Sequence, residues 1–151
     1  MNNQNRYFLQ KAVKALKELH FKPENIMVTG SIALDMQGVS NRVAHDIDLI
    51  IKMDEQTWRC MKLLEAINLA DDEVKAPKDY DSQARKRMIF LNVDGLILNI
   101  WKYDGGSDWS EIKDAETGVY VATVNHIIKA KKKYARDKDF KDIYEIIKGL
   151  V

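Results

Sequence analysis

The sequence contains few of the features that mark secreted, membrane-spanning or strongly charged proteins. Its single cysteine, Cys60, cannot form an internal disulfide, and its place in a helical pattern predicts a small buried thiol. The 24 basic and 23 acidic side chains nearly cancel, which argues against a global field that attracts nucleic acid or anionic membranes. No apolar run approaches the roughly 18 residues of a membrane span, and the N-terminus lacks the apolar core of a signal peptide. We therefore expect a soluble, unprocessed protein of the reducing cytosol.

The chain does contain enough apolar residues to form a core. Its 151 residues, 46% of them hydrophobic, predict one domain over residues 1–151. Helical spacing of apolar residues predicts helices over 6–20, 32–37, 55–69, 124–134 and 140–150. Short β-rich runs predict strands over 25–30, 46–52 and 119–123, and a hairpin over 87–103 that turns at Asp94 and Gly95. The charged stretch 70–83, which contains Pro77, predicts an exposed loop.

Two aspartates interrupt the apolar run of the second predicted strand. Alternation along a strand places Asp46 and Asp48 on one face and the neighbouring isoleucines and leucine on the other. Like charges side by side in a partly buried strand cost several kcal/mol per uncompensated ion. Two such carboxylates can hold two Mg²⁺ ions about 3.5–4 Å apart, the geometry used in phosphoryl and nucleotidyl transfer. The alternative is an exposed strand start that binds nothing.

A glycine and a serine follow the first predicted strand. Gly30 permits close approach of the backbone to a phosphate, and Ser31 opens a helix whose free N–H groups attract anions. The same pair would also serve as a plain turn and helix cap. The further glycines of a dinucleotide-binding fingerprint are missing from the sequence.

Two stretches of the sequence resemble the polymerase-β-like nucleotidyltransferase superfamily. The first comprises Gly30-Ser31, Ala33-Leu34, Gly38, Arg42 and the run HDIDLII, and it is most similar to the small prokaryotic branch that includes abortive-infection and toxin–antitoxin nucleotidyltransferases. The second, IIKAKKKYARDKDFKDI, resembles the helical signature of that branch at Lys131, Arg136, Lys138, Asp139, Asp142 and Ile143. The resemblance covers nearly the whole chain. It implies an α/β (α+β) domain with a small mixed β-sheet flanked by helices, the minimal nucleotidyltransferase fold.

The resemblance also implies a reaction, in which a nucleoside monophosphate moves from a nucleoside triphosphate to an acceptor hydroxyl with release of pyrophosphate. In the family the Gly-Ser pair, here Gly30 and Ser31, seats the triphosphate, and Lys131 and Lys138 lie at the nucleotide cleft. Arg42 either neutralises triphosphate charge or is a solvated loop residue. The acceptor stays open between transfer RNA, a protein hydroxyl and a small molecule, and an antitoxin is a possible partner protein.

The metal-binding residues that the resemblance implies are Asp46 and Asp48, which would hold Mg²⁺ or Mn²⁺. The family places a third acid on a strand after the hairpin turn, and Asn99 occupies that position here. An amide carries no negative charge and cannot accept a proton near neutral pH. Two hypotheses therefore stay open: an active nucleotidyltransferase, and a catalytically silent homologue that binds nucleotide or a partner protein.

Other polar and aromatic residues have two interpretations each. The lysine run 129–133 either grips phosphates or forms a solvated helix face, and the near-neutral net charge disfavours a plain nucleic-acid-binding module. Trp101 shares the face of Asn99, where it either stacks on a base or belongs to the core. His45 is expected to be structural. The spacing of His20, His126 and Cys60 does not predict a zinc site.

Overall fold

The chain folds around a five-stranded mixed sheet, seen in a computed structural model that describes residues 1–70, 80–106, 108–134 and 137–150. The strands lie in the order β3-β4-β2-β1-β5. Strands β1 and β2 pair antiparallel, as do β3 and β4, whereas β2 with β4 and β1 with β5 pair in parallel. The predicted fold class, a small mixed sheet flanked by helices, is confirmed.

Six helices surround the sheet in the described residues. The strands are β1 (Ile26–Thr29), β2 (Ile47–Ile51), β3 (Met88–Val93), β4 (Leu96–Lys102) and β5 (Tyr120–Val121). The helices are α1 (Asn3–Glu18), α2 (Gly30–Met36), α3 (Glu55–Leu69), α4 (Ser82–Lys86), α5 (Val124–Tyr134) and α6 (Asp137–Leu150). None of the helices in the described ranges combines the length and the apolar content that crossing a membrane requires.

The core forms on one side of the central strand. Burial alternates along β2, so that Ile47, Leu49 and Ile51 are fully buried while Asp48 and Ile50 are partly exposed on the other face. Buried side chains of α1 join the same apolar cluster. Each large aliphatic side chain removed from water in this way stabilises the fold by about 1.5–3 kcal/mol. The core therefore holds β2 with Asp48 on the opposite, partly exposed face.

The hairpin prediction is confirmed at its turn. Asp94 and Gly95 both have positive φ, 51° and 85°, as a two-residue turn of this kind requires. The side-chain oxygen of Asn92 accepts a hydrogen bond from the Gly95 amide at 2.9 Å. This turn sets the register of β4, and β4 in turn pairs with β2 so that Asn99 lies opposite Asp48.

The first helix has different ends from those predicted. It begins at Asn3 because the Asn2 side chain accepts hydrogen bonds from the amides of Gln4 and Asn5. It ends at Glu18 because His20 adopts a positive φ of 69°. The prediction of a helix over 6–20 was therefore wrong by three residues at the start and two at the end.

Two further predictions need correction. The predicted loop 70–83 runs into helix α4, which Asp81 caps by accepting a hydrogen bond from the Ala84 amide at 2.8 Å; Pro77 lies outside the described residues. Cys60, predicted to be buried, is exposed. It lies one residue before Met61, which with Glu65 forms the buried side of α3.

Candidate functional site

A cavity of about 960 Å³ lies against the exposed face of β2 and β4. Its walls come from the start of α2, the connection between α2 and β2, the ends of β2 and β4, and helices α4, α5 and α6. Seven of the eight site residues predicted from the sequence line it: Gly30, Ser31, Arg42, Asp46, Asp48, Lys131 and Lys138. The eighth, Asn99, is 1% exposed and lies beneath the two aspartates.

The two carboxylates and Asn99 form one hydrogen-bonded group. Asp46 immediately precedes β2, Asp48 lies within it, and Asn99 pairs with Asp48 in the parallel register of β2 and β4. The Asn99 Nδ2 atom donates to Asp46 Oδ2 at 2.7 Å and to Asp48 Oδ1 at 3.2 Å. Its Oδ1 atom is buried and accepts no hydrogen bond from any described residue. The amide therefore links the two like charges without neutralising either.

The environment of Asp48 disfavours its charged form. Burial and the neighbouring charge of Asp46 raise the pKa of Asp48 from 3.8 to about 7. The hydrogen bond from Asn99 and the positive charges of Lys131 and Lys138 act in the opposite direction but do not cancel the rise. A divalent cation beside these oxygens would favour the ionised carboxylate, because opposite charge stabilises it.

Gly30 allows the turn between β1 and α2 to pass close to Asp48. Its φ is +65°, a conformation that other residues adopt at a cost of about 1–3 kcal/mol. A Cβ atom at this position would collide with the Asp48 carboxylate. Both the backbone angle and the lack of space for a Cβ atom therefore require glycine at this position, and Ser31, the next residue, lines the same cavity.

Arg42, Asp142 and Lys131 form a chain of polar contacts that links helices α5 and α6 to Ser31, in the turn at the start of α2. The Arg42 Nη2 atom donates to Ser31 Oγ at 3.2 Å, and Arg42 Nη1 lies 3.7 Å from Asp142 Oδ1. Asp142, on α6, also accepts a hydrogen bond from Lys131 Nζ of α5 at 2.9 Å. One carboxylate thus holds two cations over the cavity, on the side where the Gly30–Ser31 turn lies.

Comparison with known proteins supports the architecture. No protein-family model matches the sequence, and no curated protein matches it either. Among solved structures, the fold is similar to the crystal structure of "a putative nucleotidyltransferase" from Thermotoga maritima, with a TM-score of 0.50, 18% sequence identity, and coverage of 98% of this chain and 96% of that chain. The chain has a nucleotidyltransferase-like fold. At this level of identity the likeness extends to the fold alone.

Residues of the C-terminal signature lie on the α5–α6 side of this nucleotidyltransferase-like fold. Lys131 and Lys138 line the cavity, and Asp139, which is 1% exposed, also borders it. Arg136 lies outside the described residues. Of the lysine run, Lys133 also lines the cavity, although it is exposed like Lys129 and Lys132. The run therefore lies partly at the wall of the cavity and partly on the solvated surface of α5.

Several cavity residues were not assigned to the site from the sequence. Trp101, two residues beyond Asn99 on β4, is half-buried and lies edge-on to Tyr80 with ring centroids 6.0 Å apart. Residues two apart on a strand point to the same face, so the position of Trp101 relative to Asn99 already indicated that it faces the cavity. His45 is exposed at the cavity, and His126 of α5 also lines it. Burial, and then the charge of Lys129, lower the pKa of His126, so its ring is neutral at pH 7.

The side chains beside Asp48 can be tested against the needs of a divalent cation. Among the described residues, no group of three or more His, Cys, Asp or Glu side chains is arranged to hold a metal ion. Two carboxylates are present, and Asn99 adds a neutral amide oxygen if its side chain turns over. Oxygen ligands of this kind suit Mg²⁺ and Mn²⁺. The residues therefore fit these cations, with one negative charge fewer than three carboxylates would supply.

Proposed function

We propose that the chain is a Mg²⁺- or Mn²⁺-dependent nucleotidyltransferase that moves a nucleoside monophosphate from a nucleoside triphosphate to an acceptor hydroxyl. The observation that carries the proposal is the contact between the Gly30 turn and Asp48, with Asp46 beside it in the same cavity. Carboxylates this close to the turn would repel a phosphate held there unless cations lay between them. Together with bridging cations, the turn and the carboxylates form a site for a polyphosphate.

In this proposal the triphosphate lies between the turn and the helices. Gly30 and Ser31 approach its oxygens from one side, while Arg42, Lys131 and Lys138 offset its charge from the other. Asp142 keeps Arg42 and Lys131 in place before the nucleotide arrives. Holding the cations in advance reduces the reorganisation that binding would otherwise require.

Asp46 and Asp48 would hold the divalent cations. When bound, these cations supply positive charge to the α-phosphate, the attacking oxygen and the leaving pyrophosphate. The acceptor oxygen forms a bond to the α-phosphorus as the bond to the bridging oxygen breaks, and pyrophosphate leaves. In-line displacement then has the acceptor approach the α-phosphorus from the side opposite the leaving pyrophosphate.

Asn99 limits the rate of such a reaction. Its amide cannot take the proton that the acceptor hydroxyl loses, so this proton passes to solvent or to another group of the cavity. The missing charge also weakens cation binding. An Asn99→Asp variant should therefore bind Mn²⁺ more tightly and transfer the nucleotide faster than the wild type.

The second candidate function is nucleotide binding without transfer. It is favoured by Asn99 and by the lack, among the described residues, of a third acidic or histidine ligand beside the aspartates. In this case the triphosphate still occupies the cavity but no acceptor is modified. The protein would then act through a partner, for which an antitoxin-like protein is the candidate that the motif resemblance suggests.

Radiolabel transfer separates the two functions. The wild type, an Asp46→Ala/Asp48→Ala variant and Asn99→Asp are each incubated with α-³²P nucleoside triphosphates, Mg²⁺ or Mn²⁺, and a lysate of candidate acceptors. We expect label on RNA, protein or a small molecule with the wild type and none with the double variant. If the wild type binds nucleotide but transfers none, the binding function is correct. If it neither binds nor transfers, both candidates are wrong.

The acceptor and the cellular setting are also part of the proposal. Transfer RNA, a protein hydroxyl and a small molecule such as an antibiotic are the acceptor classes to test, and fractionation of the labelled lysate distinguishes them. We propose a cytoplasmic location on the basis of the single cysteine, and a toxin–antitoxin or abortive-infection setting on the basis of the two motifs. Co-purification of the tagged chain from its own host tests the partner.

A further inference from the structure

The connection between α2 and β2 carries two residues of the candidate site but belongs to no helix or strand. Residues 40–46 follow an irregular path in the described structure, and they include Arg42 and Asp46. Both side chains line the cavity. Something outside the sheet must therefore fix this segment if its side chains are to keep their positions.

A buried asparagine of α1 holds the segment by its backbone. Asn5 is 0% exposed. Its Oδ1 atom accepts a hydrogen bond from the Ala44 amide at 2.8 Å, and its Nδ2 atom donates to the Arg42 carbonyl oxygen at 2.9 Å. The contacts are to the backbone of Arg42 itself and to a residue two positions before Asp46. Asn5 thus holds the backbone of the segment at or near both of its predicted site residues.

An aspartate of α2 orients this asparagine. Asp35 is 5% exposed, and its Oδ2 atom accepts hydrogen bonds from Asn5 Nδ2 and from the Asn2 amide, both at 2.9 Å. Both amide hydrogens of Asn5 are therefore used, one on Asp35 and one on Arg42, which fixes which way the amide points. Since α2 begins at Gly30, the same contacts tie the phosphate turn, the segment and α1 into one unit.

We propose that Asn5 and Asp35 are positioning residues of the candidate site, which set Arg42 and Asp46 at the cavity through the backbone of residues 42–44. The predicted effect of Asn5 on nucleotide binding rests on the proposed function, whereas its predicted effect on the path of the segment does not. If these two buried positions only had to fill space, apolar side chains would suffice. A buried amide that meets two backbone groups specifies one path for the chain, because a displaced segment would leave those groups unpaired.

The first test measures the segment without any ligand. Asn5→Ala is compared with Asn3→Ala, a control on the same turn of α1 whose side chain is exposed. Hydrogen–deuterium exchange followed by mass spectrometry should show faster exchange across 40–46 in Asn5→Ala, with unchanged exchange in β2 and β4 and no change in the control. If Asn5→Ala does not fold, the isosteric Asn5→Asp replaces it, because it keeps the acceptor for Ala44 and loses both donors. Unchanged exchange in the segment overturns the inference.

The second test asks whether the effect reaches the nucleotide through Arg42. Calorimetric titration with a non-hydrolysable triphosphate analogue and Mg²⁺ should show affinity lowered about tenfold or more by Asn5→Ala. Combined with Arg42→Ala, Asn5→Ala should lower affinity by less than it does alone, because the part of its effect that passes through Arg42 is already lost; a purely structural effect would add in full to that of Arg42→Ala. Fully additive losses overturn the positioning role. If the wild type binds no analogue, the proposed function is wrong. The positioning of the segment by Asn5 is then tested only by hydrogen–deuterium exchange across residues 40–46.

Discussion

Replacing Asp48 by asparagine should make the metal-free protein more stable at alkaline pH. The carboxyl group of Asp48 keeps its proton up to about pH 7 in the native state, because burial and then the charge of Asp46 raise its pKa from 3.8. The unfolded chain releases that proton near 3.8. Between these two pH values the native state binds more protons, so the free energy of unfolding falls as pH rises.

The size of this effect follows from the interval between the two pKa values. At 1.36 kcal/mol per pH unit it corresponds to about 4 kcal/mol when complete, and partial exposure of the side chain reduces it to about 2–4 kcal/mol. Asp48→Asn removes the charge with little change of shape. We therefore expect it to raise the free energy of unfolding by about 2–4 kcal/mol at pH 8 and to change it little at pH 4.

Urea titration in EDTA at several pH values between 4 and 8 measures this difference. Asp94→Asn is the matched control, because it removes a carboxylate from the exposed hairpin turn and should change stability by less than about 0.5 kcal/mol at any pH. The difference between wild type and Asp48→Asn is the quantity to follow, since other carboxylates titrate equally in both. A difference that is independent of pH, or that shows the wild type to be more stable at pH 8, would refute the reasoning.

Two further substitutions test one contact at the candidate site and one ion pair of helix α1. Gly30→Ala should cost at least about 1–3 kcal/mol by urea unfolding and abolish binding of a triphosphate analogue, because its Cβ meets the Asp48 carboxylate at positive φ; wild-type affinity would contradict this. Arg6→Ala should cost about 1–3 kcal/mol at pH 7, because Arg6 lies 2.8 Å from buried Asp114. Burial raises the pKa of Asp114, but hydrogen bonds from Arg6 and Thr117 outweigh it and lower the pKa. The cost should therefore shrink as pH falls below the ordinary carboxyl range, and a cost that persists at pH 2–3 would count against the ion pair.

The parts of the site that follow from strand geometry could be predicted from the sequence. The position of Asn99 beside the aspartates was implied by the motif resemblance, whereas alternation along β2 placed Asp46 and Asp48 on one face and the pair Asp94-Gly95 predicted the hairpin turn. Both signals are local, because they depend on residues within one strand or one turn. The confirmed fold class follows from the same local patterns together with the motif resemblance.

Contacts between distant segments could not be predicted in this way. Asn5 meets Asp35, Arg42 and Ala44 across 30 to 39 residues, and nothing in the pattern around Asn5 marks it as buried. Tertiary packing decided its burial, and it also decided the exposure of Cys60.

Short elements and charged helices were equally hard to predict. Helix α4 has five residues, too few to display a helical period, and its start depends on the single cap by Asp81. In the lysine run, charge gave no means of separating Lys131, which pairs with Asp142, from the exposed Lys132 beside it. The packing of α6 beside α5, which brings Asp142 to Lys131, makes that difference, and it depends on residues outside the run.

The central claim is that Asp46 and Asp48 hold divalent cations beneath a bound triphosphate. Electron paramagnetic resonance of Mn²⁺, titrated with the protein and a non-hydrolysable triphosphate analogue, tests it most directly. The wild type should immobilise Mn²⁺ in a nucleotide-dependent way, and the folded variant Asp46→Asn/Asp48→Asn should leave the Mn²⁺ spectrum identical to that of Mn²⁺ with the analogue alone. Equal immobilisation of Mn²⁺ by both proteins, or by neither, would contradict it.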